Sequence, residues 1–503
     1  MTTLGEMVAR TVRDHPDQPA LDLGGTVLTY RELWDLAGRI AVGLVAAGHA
    51  GSPVGLCASR TSLAYAGYLA ALRCGAPVVP LHPTYPADRT ALMVTAAGSD
   101  TVLLDDTVLD PVEDRLRGQG TRTLRPSSAV GQPVTDRFAA PDAVAYILFT
   151  SGSTGVPKGV PISHRSAHAY IRHNIARYEV GPGDRLSQTF DLTFDPSVFD
   201  LFVAWGAGAT LVVPTGNELV SPARYVRDRA ITHWFSVPSV ISLAHGMRGL
   251  SADAMPGLRW SLFIGEQFTY DQARLWRLAA PASTIDNVYG PTELTVACTE
   301  YRLPADPADW PATSNGTVPI GQVYPFLDHV LLDDDGAPTD DGELCVRGVQ
   351  RFPGYLDPRR DAGAFTSYDG TSAVPYDGAT PLTARHWYRT GDRVRHESGT
   401  LVHLGRMDRQ VKLNGCRIEL GEIEFALRRH ASVEEAVALV SPDKRTLCAF
   451  YTGTRCNARE LRQALREQLP PFMIPRRIEW LERLPLNSNG KIDRRVLADA
   501  LVS

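Results

Sequence analysis

No stretch of this 503-residue chain is apolar enough to cross a membrane as a helix. The best candidate, Leu63 to Pro80, is interrupted by Arg73 and by Gly and Pro, and falls short of the ~20 apolar residues such a helix needs. Cysteine is scarce. The seven residues (Cys57, Cys74, Cys298, Cys345, Cys416, Cys448 and Cys456) are odd in number and form no C-x-x-C, so neither a disulfide framework nor a zinc site is indicated. An excess of one charge is missing too: 51 Lys+Arg against 56 Asp+Glu leave a formal −5, with no run of five like charges. Nothing electrostatic therefore calls for nucleic acid or an acidic membrane as partner. The segment Met1 to Arg10 has no basic stretch followed by an apolar one, which argues against a secretory signal. These absences predict a soluble, cytoplasmic protein whose phosphate chemistry concerns small molecules.

What is present is length and alternation. At about 150 residues per domain the chain holds roughly three folding units. Val27 to Tyr30 reads as a strand, and Arg31 to Ala47 carries Leu33, Leu36, Ile40 and Leu44 at helical spacing. The pattern repeats through a strand at Val54 to Cys57 with a helix after Ser62, then strands at Thr101 to Leu104 and Ala143 to Phe149, the last rich in the β-branched and aromatic residues of a buried strand. Near Leu404 to Asp408 the texture changes to a smaller α+β unit. It has a helix over Gly421 to His430, strands near Ala436 to Val440 and Leu447 to Tyr451, and a helix from Ala458 with an apolar stripe of Leu461, Leu465 and Leu469. Asn457 followed by Glu460 resembles a capping box. Ser367 to Thr383, rich in Gly, Ser, Thr and Asp, reads as a surface insertion.

Directly after the buried strand comes Thr150-Ser151-Gly152-Ser153-Thr154-Gly155-Val-Pro-Lys158-Gly. Glycines let the backbone turn tightly and aim N–H groups at an anion, hydroxyls add donors, and one lysine adds a point charge, so the loop suits phosphate. It is not the Walker pattern, because the sixth place from Gly152 is Pro157 and Lys158 precedes Gly159.

With this loop the chain resembles the adenylate-forming enzymes, and within them the amino-acid adenylation domains of nonribosomal peptide synthetases. The family's motifs recur in order over nearly the whole chain: Leu28-Thr-Tyr-Arg-Glu-Leu33, Arg73-Cys-Gly-Ala-Pro-Val-Val-Pro80, the phosphate loop, Phe194-Asp-Pro-Ser197, Asn287-Val-Tyr-Gly-Pro-Thr-Glu293, Gly342-Glu-Leu344, Gly354-Tyr-Leu356, Tyr388-Arg-Thr-Gly-Asp392, Gly405 to Lys412, Arg417 to Glu424, Leu469 to Pro475, and Asn489-Gly-Lys-Ile-Asp493. The resemblance implies an α/β fold: a large N-terminal domain of several α/β subdomains over 1–407, and a small mobile α+β lid over 408–503. It also implies a two-step reaction in which a carboxylate attacks the α-phosphate of ATP, releasing pyrophosphate, and a thiol then attacks the acyl adenylate.

Residue roles follow from the same resemblance. The loop from Thr150 to Gly155 with Lys158 would cradle the β- and γ-phosphates, Thr150 and Ser151 most directly. Thr292 would add a phosphate donor, and Glu293 would hold Mg²⁺, which prefers oxygen ligands. Asn287 and Tyr289 would hold adenine, within the run Asn287, Val288, Tyr289, Gly290 and Pro291. Asp392 would accept the ribose hydroxyls, and Arg406 and His403 would face the nucleotide. Lys491 would be the catalytic lysine, brought to carboxylate and α-phosphate by lid closure, with Asp408 as hinge. After adenylation the lid would turn about Asp408 and bring Asn414-Gly415 towards a tunnel for the phosphopantetheine arm.

For the acid being activated, Asp195 is the expected partner of a substrate ammonium, with Asp191 as the rival assignment. By resemblance the pocket is lined by Pro196, Phe199, Ser236, Leu262, Ile264, Val288, Val296 and Ala297. With no charge there besides Asp195 and Lys491, a small or medium neutral amino acid is expected, alanine-like as a first guess. Trp234 to Ser239 and Leu262 to Glu266 look closest to the free-standing D-alanine carrier protein ligases, although the bulkier Ile264 replaces their cysteine. His403, Asn414 and Phe352-Pro353 also depart from the usual Tyr, Arg and Ala-Arg. Neither a carrier serine motif nor an H-H-x-x-x-D condensation motif occurs, so the expected acceptor is the phosphopantetheine thiol of a separate carrier protein, within natural-product biosynthesis. A small activating protein is a partner the resemblance allows. The competing readings are an acyl-CoA ligase of the same superfamily and a non-catalytic nucleotide-binding scaffold.

Overall fold

The computed structural model describes residues 2–125, 135–152, 156–408, 410–441, 446–486 and 492–501. Its larger part contains three sheets. One runs in the order Arg122–Leu124, Thr101–Leu104, Val54–Cys57, Val78–Leu81, Val144–Thr150 and Lys158–Ser163, parallel until the last strand, which turns back against Val144–Thr150. A nine-stranded sheet extends from Thr26–Thr29 to Gln322–Val323 and includes Thr210–Val213, His233–Ser236, Trp260–Phe263 and Thr284–Tyr289. The apolar strands Val54–Cys57, Val78–Leu81 and Thr210–Val213 are buried along their whole length, as expected where helices cover both faces. The helices Tyr30–Ala46, Ser62–Arg73 and Pro196–Ala207 bury their apolar positions in the common core of these two sheets. The third sheet is antiparallel and ends with Trp387–Glu397 paired to Thr400–Arg406.

The smaller part starts with a two-stranded ribbon, Gln410–Leu413 against Cys416–Glu419. Its turn is Asn414-Gly415, with φ of +51° and +76°, the left-handed pair that a tight hairpin favours in an Asn-Gly sequence. Helix Leu420–Arg428 and the sheet Val433–Val440, Leu447–Gly453, Arg477–Trp480 follow, with Leu461, Leu465 and Leu469 in a separate core.

The expected strands and helices therefore form, with ends that agree or are shifted by up to three residues. One local reading changes: Asn457 caps Ala458–Arg466 by accepting from Arg459 N–H, without the reciprocal Glu460 contact of a capping box. The segment Ser367 to Thr383 is mostly exposed, and it forms part of a hairpin, Phe365–Tyr368 with Ala373–Pro375, on the edge of the third sheet. Among the described residues no helix is long and apolar enough to cross a membrane.

Candidate active site

The three large sheets and the ribbon converge on one cavity. Its wall includes Thr150 and Ser151 from the phosphate loop, Asp195 and Pro196 at a helix start, Gly290 to Thr292 after a strand end, Asp392 and Arg406 from the antiparallel sheet, and Lys412, Gly415 and Arg417 from the ribbon.

Thr150 and Lys158 are cross-strand partners at the mouth of the phosphate loop. Among the described residues the buried Thr150 Oγ1 has no hydrogen-bond partner, a donor suited to a ligand oxygen. A side chain at Gly152 would put Cβ 2.1 Å from the Val156 carbonyl oxygen, so the turn needs glycine. Ser153, Thr154 and Gly155 lie outside the described residues, as does Lys491. The ribbon and the helix after it meet the loop's described donors: Ser151 Oγ donates to the Arg417 carbonyl (2.9 Å), Gly152 N–H to Glu422 (3.3 Å), and Lys158 Nζ lies 3.8 Å from Glu419.

Glu293 is fully buried, accepts from Tyr355 Oη at 2.7 Å and pairs with both oxygens to Arg417 Nη1 at 3.2 and 3.0 Å. Burial works to raise its pKa, but Arg417, Tyr355 and Lys158 hold it below the ordinary carboxylate value. A single carboxylate beside phosphate-binding donors fits Mg²⁺ bound with substrate oxygens and water. In this conformation Arg417 supplies the positive charge that Glu293 faces.

Asp392 accepts from Tyr289 Oη (2.6 Å) and Arg406 Nη1 (3.1 Å), with His403 Nε2 2.9 Å away. Burial opposes its ionisation, yet His403, Arg406 and Lys412 keep its carboxyl far below the usual range. Three donors against roughly four lone-pair directions leave little spare capacity, so ribose hydroxyls would replace one of these contacts. Arg406 also bonds Asp408 at 3.0 Å through Nε, tying the expected hinge to the cavity wall.

Asp195 precedes Pro196–Ala207 without a side-chain capping hydrogen bond, and its carboxylate lies on the cavity wall with Thr292 as hydrogen-bonding neighbour. Burial pushes its pKa up to about 7, against the opposing pull of Thr292 and Lys412. The rival Asp191 is occupied elsewhere, accepting from Ser59 Oγ (2.8 Å) and Thr193 Oγ1 (2.7 Å), and it lines a second cavity.

Of the expected pocket residues, Asp195, Pro196, Ile264 and Val296 come together on the main cavity. Phe199, Leu262, Val288 and Ala297 do not reach it. They are buried core residues, Phe199 packing at a tilt against Phe235 with ring centroids 4.7 Å apart. Ser236 lines the second cavity, and its hydroxyl is committed, accepting from Trp234 Nε1 (2.8 Å) and donating to the Val237 carbonyl (3.1 Å). Asn287 lines neither cavity, and its amide nitrogen donates to the carbonyls of Val318 and Pro319 (3.1 and 2.8 Å). Residues given no role from sequence prove central. Lys412 and Arg417 line the main cavity, and Glu266 receives Gly415 N–H at 3.0 Å while Arg89 pairs with Glu422 at 2.6 Å. The signal available was the like-charge pair itself, since Lys412 and Arg417 sit opposite each other in the ribbon, a costly arrangement unless anions meet them.

Comparison with known proteins agrees with this geometry. Residues 8–356 match the AMP-binding enzyme family, and residues 422–491 the AMP-binding enzyme C-terminal domain. The chain is 36% identical to the phosphinothricin tripeptide synthetase PhsC of Streptomyces viridochromogenes over 99% of its own length, but spans only 45% of that protein. It is 34% identical to an L-proline--[L-prolyl-carrier protein] ligase of Streptomyces coelicolor, covering 99% of this chain and 97% of that one. Among solved structures, the Vibrio cholerae adenylation domain AlmE, in complex with glycyl-adenosine-5'-phosphate, superposes with a TM-score of 0.83 at 28% identity, over 99% of this chain and 97% of that one.

Proposed function

The chain belongs to the AMP-binding enzyme family, and from that premise we propose that it activates a small neutral amino acid with ATP and passes the aminoacyl group to the phosphopantetheine thiol of a separate carrier protein, in nonribosomal peptide-type biosynthesis. The observation that carries this reading is the pairing of two carboxylates on one cavity: Asp195, beside Thr292 and apolar Pro196, Ile264 and Val296, and Asp392, set in a cluster of Tyr289, His403 and Arg406. The first suits an ammonium and the second a ribose. The relatives' names point the same way, one acting on proline and a carrier protein, another binding a glycyl adenylate.

In the first step Asp195 would hold the amino group while the loop from Thr150 to Lys158, with Thr292, holds the phosphates. When bound, Mg²⁺ on Glu293 supplies charge neutralisation for the leaving pyrophosphate. Lys491 would serve as the cation on the reacting carboxylate and α-phosphate. We place the boundary between core (1–407) and lid (408–503) at Asp408, where the antiparallel sheet has ended at Arg406 and the ribbon begins at Gln410. The lid position described, with Asn414-Gly415 pressed on Val237, belongs to the second step in this reading, when a thiol must reach the adenylate past that turn.

The test is exchange of pyrophosphate into ATP over a panel of amino, aryl and fatty acids. Glycine- and alanine-sized amino acids should stimulate exchange most. Stimulation by aryl or fatty acids alone would replace this reading with that of an acyl-CoA ligase.

A further inference from the structure

Where the lid meets the phosphate loop and Glu293, each charged lid group faces a body group of opposite character. Glu422, its side chain buried, accepts from Gly152 N–H with one oxygen (3.3 Å) and from Arg89 Nη1 with the other (2.6 Å). Glu419 lies 3.8 Å from Lys158 Nζ, and Arg417 sits 3.0 Å from Glu293. Acids thus meet the loop's N–H and its cation, and a base meets the carboxylate. Magnesium pyrophosphate would present the same pattern, anionic oxygens to the loop and a cation to Glu293. Arg89, from helix Ala87–Ala96, lines the main cavity with its side chain 9% exposed. Its bond to Glu422 joins two charges and is the shorter of the two, so it is the stronger tie. Without it Glu422 would be a buried carboxylate with the Gly152 N–H as its remaining described partner, a costly arrangement.

We propose that Arg89 and Glu422 are positioning residues of the transfer step: the Glu422 carboxylate stands on the phosphate loop where an oxygen of pyrophosphate would bind, and Arg89 latches it there. The inference rests on the two-step reading above, with the described lid position as that of the second step. The docked lid and pyrophosphate then claim the same donors, so each excludes the other. The lid holds its transfer position once pyrophosphate has left, and while docked it keeps pyrophosphate from returning to the adenylate and reversing the first step. In this scheme neither residue acts on the reacting atoms. They set the population of the docked lid, which a buried ion pair shifts strongly because either partner alone is left uncompensated.

Deuterium uptake by the full chain reads the lid directly, because Gly415 N–H is bonded to Glu266 of the body. Saturating magnesium pyrophosphate should speed uptake in the peptide around Gly415 about fivefold or more, with magnesium chloride alone having no effect. In Glu422→Gln and in Arg89→Met that peptide should take up deuterium fast already and respond little to pyrophosphate. Single-turnover transfer from preformed aminoacyl adenylate to saturating free pantetheine should fall in each variant about tenfold or more beyond any fall in pyrophosphate exchange. Retained pyrophosphate exchange also shows that the variants fold. The double variant should transfer no more than about threefold more slowly than the slower single one, as two residues acting as one unit do, and Arg89→Lys should recover part of the loss. A Gly415 peptide indifferent to pyrophosphate, transfer losses that match the pyrophosphate-exchange losses, or losses that multiply in the double variant overturn the proposal. Absence of pyrophosphate exchange in the unaltered protein with every amino acid would instead overturn the functional reading beneath it, and the deuterium measurement would still test the latch.

Discussion

Replacing Asp195 by Asn separates the two consequences of its burial. The gap between the ordinary value of 3.8 and about 7 corresponds to about 4 kcal/mol against the charged form in the ligand-free chain. The folded carboxyl keeps its proton to about pH 7 while the unfolded one loses it near 3.8, so the folded state binds more protons in that window. Its contribution to stability therefore declines as pH rises from about 4 to about 7 and stays low above. Asn carries no charge at any of these values. Asp195→Asn should thus melt higher than the unaltered protein at pH 8, with about 4 kcal/mol as the ceiling of the gain, and nearly equal to it at pH 4. Amino-acid turnover should move the other way. Losing one partner of a buried ion pair costs about 3–5 kcal/mol, so kcat/KM for the amino acid in pyrophosphate exchange should drop at least a hundredfold. In the unaltered protein that constant should rise about tenfold per pH unit up to about 7 and then level off, a limb the variant should lack. A variant that keeps the limb, or keeps kcat/KM, refutes the assignment of Asp195 to the ammonium.

Asp392→Asn removes the charge and one of the two acceptor oxygens that Tyr289, His403 and Arg406 share. Hydrogen bonds to a charged group are worth about 1.5–3 kcal/mol, so KM for ATP in exchange should rise about tenfold or more with little change in KM for the amino acid. Ile264, 2% exposed at the cavity wall, limits side-chain length. At about 1–3 kcal/mol per methylene, Ile264→Ala should raise the preference for leucine over alanine in exchange by at least tenfold, with a stability loss of about 2–5 kcal/mol in thermal melts.

The fold was legible in the sequence because its strands are continuous apolar runs and its helices carry clear periodicity, as at Val144–Thr150 and Tyr30–Ala46. The nucleotide end of the site was legible for the same local reason: Tyr289 ends one strand, and Asp392 and Arg406 pair across two others. What could not be read was depth. Phe199 and Leu262 sit on elements that carry cavity residues but are buried in the core and line neither cavity, and no spacing rule reports how deep a side chain lies. The amide nitrogen of Asn287 donates to two carbonyls some thirty residues later in the chain, a contact that local pattern does not report. The roles of Lys412 and Arg417 depend on where one whole part of the molecule docks on another, which local pattern does not encode.

The docking of the ribbon has a consequence for engineering by recombination. Glu266 receives Gly415 N–H with one oxygen and Ser239 N–H with the other, both at 3.0 Å, and a Cβ at position 415 would come within 2.4 Å of Val237. The lid's fit is thus written partly in the body, at Val237, Glu266, Arg89 and Ser151. A chimera cut at residue 408 would join two well-folded halves and still transfer poorly. The portable unit is the lid together with those four body residues.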